Sequence, residues 1–284
     1  MNELEPIELQ TPFGHIRGWR RAARKPDAPK VLALHGWLDN AASFVPLEPH
    51  LPDIELVAID NIGHGLSDHL PLASDYTALT MTRTAIAALD ALQWDRARLL
   101  GHSLGSVVCS LVAAAAPLRV EKFVAIEALG ALTDTAEHTT SRLREAIEMS
   151  QRPRRPLRVF ESLRPAIAMR MQVNHLSEPV ATLLVNRGTT ETDGGYTWSS
   201  DPRLTHLTAF RLTEDQALDL IRGIDCPTHV VFADPPQSYF PDALRRHRVA
   251  QLRQGTLTVT EGTHHLHMED PQTVADHVRE FISK

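Results

Sequence analysis

At 284 residues, 43% hydrophobic and 23% charged, the chain is long enough to bury a sizeable core and too ordinary in composition for a disordered, collagenous or disulfide-scaffold protein. Its 29 basic against 35 acidic side chains leave a formal charge of −6, the wrong sign for a protein that neutralises nucleic-acid phosphates. The two cysteines, Cys109 and Cys226, lack C-x-x-C spacing and fit a reducing compartment as buried small apolar residues.

The start, Met1 to Pro6, has neither the basic flank nor the apolar run of a secretory signal. No stretch approaches the roughly 18 uninterrupted apolar residues of a membrane span, so a cytoplasmic protein without such a span is expected. Val31 to Leu34 and Glu55 to Asp60 read as buried strands, because each is a short aliphatic run ending in a polar or glycine-rich turn. Between Tyr76 and Trp94 a helical period places Leu79, Ile86, Leu89 and Leu92 near one face. Arg98 to Gly101 predicts a third strand, Leu104 to Ala116 a helix apolar nearly all round, and Lys122 to Ile126 a fourth strand. Alternation of this kind signals a mostly parallel sheet covered by helices.

After Glu127 the character changes. Residues 129–220 carry helical stretches broken by prolines and no strand of comparable quality, which suggests a segment inserted into a core formed by 1–128 and 221–284. Within it, residues 142–170 hold eight arginines against Glu145, Glu148 and Glu161; a solvated helix surface is the ordinary reading, an anion-binding face the alternative. The core pattern resumes with strands at His229 to Ala233 and Leu257 to Thr260, separated by an amphipathic stretch from Tyr239 to Leu252. A final helix is announced by Asp270-Pro271.

Gly101-His102-Ser103-Leu104-Gly105 lies between a predicted strand and a predicted helix, the setting a nucleophile elbow requires. A serine on so tight a turn presents its Oγ above the sheet, and only small residues two places to either side avoid a clash. The helix that follows aims its N-terminus at the same spot, so the Leu104 amide is placed to stabilise an oxyanion. His35-Gly36-Trp37-Leu38-Asp39 follows the first strand and offers a second amide, that of Trp37, while His35, Gly36 and His102 are expected to line a substrate pocket. Late in the chain, Gly262-Thr263-His264-His265-Leu266-His267 supplies three imidazoles that compete for the role of general base. No paired carboxylate or cysteine set accompanies them, so neither a metal nor another cofactor is expected.

In this order of parts the chain resembles the α/β-hydrolase superfamily from about Lys30 onward. Asp60-Asn61-Ile62-Gly63-His64-Gly65-Leu66-Ser67 looks like that family's D-x-x-G-x-G-x-S loop, and Gly-His followed by Glu269 and Pro271 looks like its histidine loop. The resemblance implies an α/β fold with a mostly parallel eight-stranded sheet flanked by helices and an inserted helical cap. It selects His264 as the catalytic imidazole. It also implies a triad acid, which many relatives place after the strand at Val230 to Ala233. Here that register holds Pro236, with Asp234 close by but out of step, whereas Ile126-Glu127-Ala128 matches the acidic position of some other members. Glu127 is therefore expected as the acid and Asp234 as the alternative. Leu184 to Thr190 together with Asp201 to Leu204 resembles the serine hydrolase-like proteins within the superfamily.

The expectation is an esterase of small-molecule substrates that works through an acyl-serine, as a monomer or homodimer. An acyl-carrier or coenzyme A thioester is the alternative substrate, motivated by the arginine-rich stretch around Arg154 and Arg155; a lactone would need no other residues. A non-catalytic ligand receptor on the same scaffold is the reading from a different class. Family members that form an alkyl-ester intermediate need an elbow aspartate, and Ser103 cannot supply one. There is no glycine-rich phosphate loop.

Overall fold

The computed structural model describes residues 4–152 and 157–284; Arg154 and Arg155 lie outside the described residues. The chain opens with a hairpin, β1 (Glu5–Thr11) and β2 (Gly14–Arg21), which the sequence reading did not anticipate. Its strands carry Glu5, Glu8, Arg17, Arg20 and Arg21 among only a few apolar residues, so they lack the unbroken aliphatic runs that mark the interior strands. A one-sided edge hairpin alternates instead, and here Leu9 and Ile16 turn inward while Glu5, Pro6 and Glu8 face water.

The interior follows as β3 (Lys30–Leu34), β4 (Glu55–Ile59), α1 (Ala78–Ala91), β5 (Ala97–His102), α2 (Leu104–Ala115) and β6 (Val120–Ile126). Next come α3 (Thr139–Gln151), α4 (Leu163–Asn174), α5 (Glu178–Gly188), a two-stranded hairpin of β7 (Thr189–Thr192) and β8 (Gly195–Trp198), and α6 (Glu214–Arg222). The chain closes with β9 (Thr228–Asp234), α7 (Asp242–Val249), β10 (Gly255–Glu261), the single turn α8 (Leu266–Glu269) and α9 (Pro271–Ser283). The β7–β8 hairpin is a second departure from expectation. Its strands are four residues each and rich in threonine and glycine, so no aliphatic run betrays them.

Eight strands form one sheet in the order β1-β2-β4-β3-β5-β6-β9-β10, with antiparallel pairing at β1/β2 and β2/β4 and parallel pairing elsewhere. Alternation along the central strands divides the core in two. Leu32, Leu34, Leu99 and Phe123 face α1 and α2, whereas Val31, Ala33, Leu100 and Val124 face the side covered by Phe44, Leu47 and α9. Both faces being covered, the strands are apolar throughout. Of the expected α1 face, Leu89 is buried and Ile86 and Leu92 pack partly buried against the core, whereas Leu79 is 66% exposed and Met81, Ala85 and Ala88 are among the residues that complete the buried side. Asp270 accepts a hydrogen bond from the Thr273 amide and caps α9, with Pro271 in its first turn.

Six parallel strands point their carboxyl ends at one edge of the sheet, where Leu34, Ile59, Ser103, Glu127, Asp234 and Glu261 begin the loops. In an open α/β sheet that edge is where ligands bind. The stretch between β6 and β9 is tied to the same edge. Arg187 at the end of α5 grips buried Asp60 with Nε 2.9 Å from Oδ1 and Nη2 2.8 Å from Oδ2, and Asp60 also accepts from the Ala41 and Leu66 amides. Asn40 donates to the Leu184 carbonyl, and Tyr76 donates to Asp201, which Arg203 also holds. Through the Arg187 bond to Asp60 and the Asp201 amide, which donates to the Gly63 carbonyl at 2.8 Å, the two motifs at 184–190 and 201–204 each hold the D-x-x-G-x-G-x-S loop. Among the described residues no helix is long and apolar enough to cross a membrane.

Candidate active site

Ser103 sits on the sharp turn from β5 into α2 with φ +51° and ψ −117°, a backbone conformation that L-residues adopt only under constraint. The constraint is visible on every side. The Ser103 amide donates to the Ile126 carbonyl, and Ser106 Oγ donates to the Gly101 carbonyl at 2.7 Å, stapling β5, α2 and β6 together. A Cβ on Gly105 would stand 1.8 Å from the Leu34 carbonyl oxygen, and one on Gly101 would stand 2.5 Å from Ser106 Cα. No side chain fits at either position, which is the steric reason for the G-x-S-x-G spacing.

His264 reaches the serine from the loop after β10, its Nε2 3.0 Å from Ser103 Oγ. Its Nδ1 lies 2.9 Å from Glu127 Oε2. Glu127 is a carboxylate and can only accept, so Nδ1 carries the proton and Nε2 presents a lone pair to the serine hydroxyl. Glu127 is itself held in place: its Oε1 accepts from the Ala233 amide at 2.5 Å, and Arg245 Nη2 is 3.6 Å from Oε2. The Glu127 backbone is also left-handed, at φ +61°. Asp234, the other acid considered, is exposed at the end of β9, where its backbone carbonyl accepts from the Gly262 amide.

Arg245 is a residue the sequence reading missed. It is buried, donates to the Ala233 and Phe240 carbonyls, and stacks on Phe232 with its guanidinium carbon 4.6 Å from the ring centroid. In the sequence it is one arginine of an amphipathic stretch, with nothing to mark it as the cation behind the acid.

The remaining imidazoles divide clearly. His102 is buried, donates from Nε2 to the His264 carbonyl at 2.8 Å, and is kept neutral by burial, which pushes its pKa well below the usual range. His267 is equally buried and neutral, with Nε2 2.7 Å from Ser43 Oγ, and does not border the cleft. His265 lines the cleft and binds Asp39 Oδ2 at 3.1 Å. Burial works against ionisation of Asp39, yet the neighbouring His265 and Arg170 outweigh it and hold the carboxyl well below its usual range.

The cleft at Ser103 has a volume of about 470 Å³ and is lined by Gly36, Trp37 and His264, by Val173 of α4 with His175 just past its end, and by Tyr239 from the loop after β9. His35, expected in the pocket, faces the core instead. It donates from Nδ1 to the Gly36 carbonyl, accepts the Asn61 amide on Nε2, and is lowered by burial to about 4. Bridging the loops after β3 and β4 consumes both of its nitrogens. Of the two amides expected to hold an oxyanion, Leu104 opens α2 directly after Ser103, and Trp37 stands at the cleft wall with its indole bonded to the Leu204 carbonyl.

Comparison with known proteins adds three findings. Residues 29–176 match the family model described as alpha/beta hydrolase fold. The chain is 31% identical over 305 residues to Serine hydrolase-like protein 2 of Homo sapiens, a match that covers 98% of this chain and 94% of that one. Among solved structures it superposes with a TM-score of 0.90 on the hypothetical protein PA1622 from Pseudomonas aeruginosa PAO1, at 33% identity over 99% of this chain and all of that one.

Proposed function

This chain belongs to the α/β-hydrolase fold family, and from that premise we propose that it is a serine hydrolase cleaving a carboxylic ester through an acyl-serine intermediate. What supports this reading most is the relay from Ser103 Oγ through His264 Nε2 at 3.0 Å and from His264 Nδ1 to Glu127 at 2.9 Å, with Ser103 and His264 lining a cleft. In this scheme Ser103 Oγ attacks the carbonyl carbon while His264 takes its proton. Glu127 steadies the imidazolium, and the Trp37 and Leu104 amides receive the negative oxygen. The alcohol leaves with the proton from His264, and a water activated by the same imidazole releases the acid and restores the serine.

Residues 129–220 form a cap in this proposal and 1–128 with 221–284 the catalytic core, so α4 roofs the cleft and sets substrate size. The lining includes the Asp39 carboxylate and, among the described residues, no lysine or arginine, which favours uncharged esters. Of the eight arginines that motivated a carrier or coenzyme A thioester, Arg142 is engaged on Asp134 and the Thr208 carbonyl and Arg170 on Asp39, while Arg154 and Arg155 lie outside the described residues. The test is turnover of a p-nitrophenyl ester series of rising acyl length by wild type and Ser103→Ala. Activity that peaks at one chain length and vanishes in the variant is expected; a folded wild type inert to every ester overturns the reading and favours a ligand receptor.

A further inference from the structure

One wall of the cleft carries polar groups that ester cleavage at Ser103 leaves unused. Asp39, His102 and His265 are all buried, and each turns one donor atom to within 4.8 Å of the other two. Asp39 Oδ2 is 3.1 Å from His265 Nε2 and 3.8 Å from His102 Nδ1. The His102 bond to the His264 carbonyl places the proton on Nε2 and leaves a lone pair on Nδ1, and that Nδ1 is buried without a hydrogen-bond partner. Such an imidazole, oriented through its far nitrogen by a carbonyl, is how metal-ligating histidines are commonly set. A Cβ on Gly36 would stand 3.0 Å from both Asp39 Oδ2 and His102 Nδ1, so the glycine keeps the space between them open. The other Asp39 oxygen, Oδ1, is held by Arg170 from α4, leaving Oδ2 for the cleft side.

We propose that Asp39 Oδ2, His102 Nδ1 and His265 Nε2 bind a borderline divalent cation of the Zn²⁺ type, and that its binding inhibits the enzyme. Two imidazoles and one carboxylate are the donor set of open zinc sites, with the fourth position left to water or substrate. Donors at about 2.0–2.1 Å in a tetrahedron stand roughly 3.3 Å apart, so the three atoms need to close by about 1.5 Å at most. His265 shifts its proton from Nε2 to Nδ1, which has no hydrogen-bond partner, and Nε2 then offers its lone pair. Nitrogen donors select against Mg²⁺ and Ca²⁺, and the Arg170 charge beside the carboxylate tempers affinity. Inhibition follows from position: the His102 ring lies 5.0 Å from His264, so the ion opposes the imidazolium that ester attack creates, and its three ligands line the same cleft as Ser103.

The inhibition half rests on the hydrolase reading; the binding half does not, and it is tested on inactive protein. Full-length Ser103→Ala, stripped of metal, is titrated with Co²⁺. One equivalent with the visible absorption of four-coordinate cobalt is expected, displaced by Zn²⁺ and untouched by Mg²⁺. Asp39→Asn and His265→Ala should each weaken binding at least tenfold, and His264→Ala should change it less than threefold. X-ray absorption at the zinc edge of the wild type, which needs no variant, should give two imidazoles in the first shell. No cobalt spectrum, a single imidazole, or loss of binding in His264→Ala with retention in His265→Ala overturns the site. Zn²⁺ that binds as described without slowing ester turnover overturns the inhibitory role alone.

Discussion

Replacing Glu127 by glutamine leaves the heavy-atom count at the acid unchanged and tests how its two oxygens are used. Oε1 accepts from the Ala233 amide and Oε2 from His264 Nδ1–H, so both partners are donors. A glutamine has only one oxygen to offer them. With that oxygen on Ala233, its NH2 faces Nδ1 and forces the imidazole into the other tautomer, with Nε2–H pointing at Ser103. With the amide flipped, two N–H groups meet at Ala233, an arrangement that costs about 1–3 kcal/mol for the buried unsatisfied donor. The first orientation is therefore preferred, and it is the one in which His264 cannot accept the serine proton. A wrong tautomer of this kind costs about 10⁴-fold in kcat, or about 5.4 kcal/mol of barrier. The assay is steady-state turnover of the best p-nitrophenyl ester, with thermal unfolding to establish that the variant is folded. Glu127→Gln activity within tenfold of wild type, or an equal loss in Asp234→Asn, refutes the reasoning.

Other consequences follow from the same geometry. Arg187→Met leaves Asp60 buried with only amide partners, and an unfolding free energy lower by about 3–5 kcal/mol is expected in denaturant titration; a loss under 1 kcal/mol would mean that water replaces the arginine. Gly105→Ala drives a Cβ into the Leu34 carbonyl, so it should give insoluble or inactive protein, whereas Gly194→Ala, with nothing within 4 Å of its Cβ and only its positive φ to strain, should fold and turn over ester. His64 is lowered to about 3 by burial and by the nearby charge of His35, against 6.5 in the unfolded chain. The unfolded state thus binds the extra proton between those values, so this contribution to stability is intact above pH 6.5 and shrinks by up to about 1.4 kcal/mol per unit as pH falls toward 3. Wild type should lose more unfolding temperature between pH 7 and pH 5 than His64→Asn does; parallel losses would show that His64 is not the group responsible.

Interior strands were legible because burial on both faces leaves an aliphatic run that no other element imitates, as at Val31–Leu34 and Phe123–Ile126. The β1–β2 hairpin and the β7–β8 hairpin were not, since a strand wet on one face or four residues long has no such run. The elbow turn was readable from local spacing, since glycine at 101 and 105 answers a steric demand that the neighbouring residues alone define, whereas the choice of His264 among three competing imidazoles came from the family resemblance. What local spacing could not reveal is the company those residues keep. Arg245 stands behind Glu127 across 118 positions of chain, and Asp39 reaches His265 across 226. The carboxylate missing from the late histidine cluster in the sequence is supplied from the other end of the protein. His35 shows the converse error, a residue next to the site in sequence whose two nitrogens are spent on the Gly36 carbonyl and the Asn61 amide, away from the cleft.

Activation of Ser103 as a nucleophile by His264 is tested most directly by covalent trapping, which requires no knowledge of the substrate. Wild type, Ser103→Ala and Glu127→Gln are treated with a serine-directed fluorophosphonate and read by intact mass and peptide mapping. A single adduct on Ser103, absent in Ser103→Ala and formed far more slowly in Glu127→Gln, is the predicted result. A folded wild type that takes up no phosphonate, or takes it up on another residue, contradicts the account.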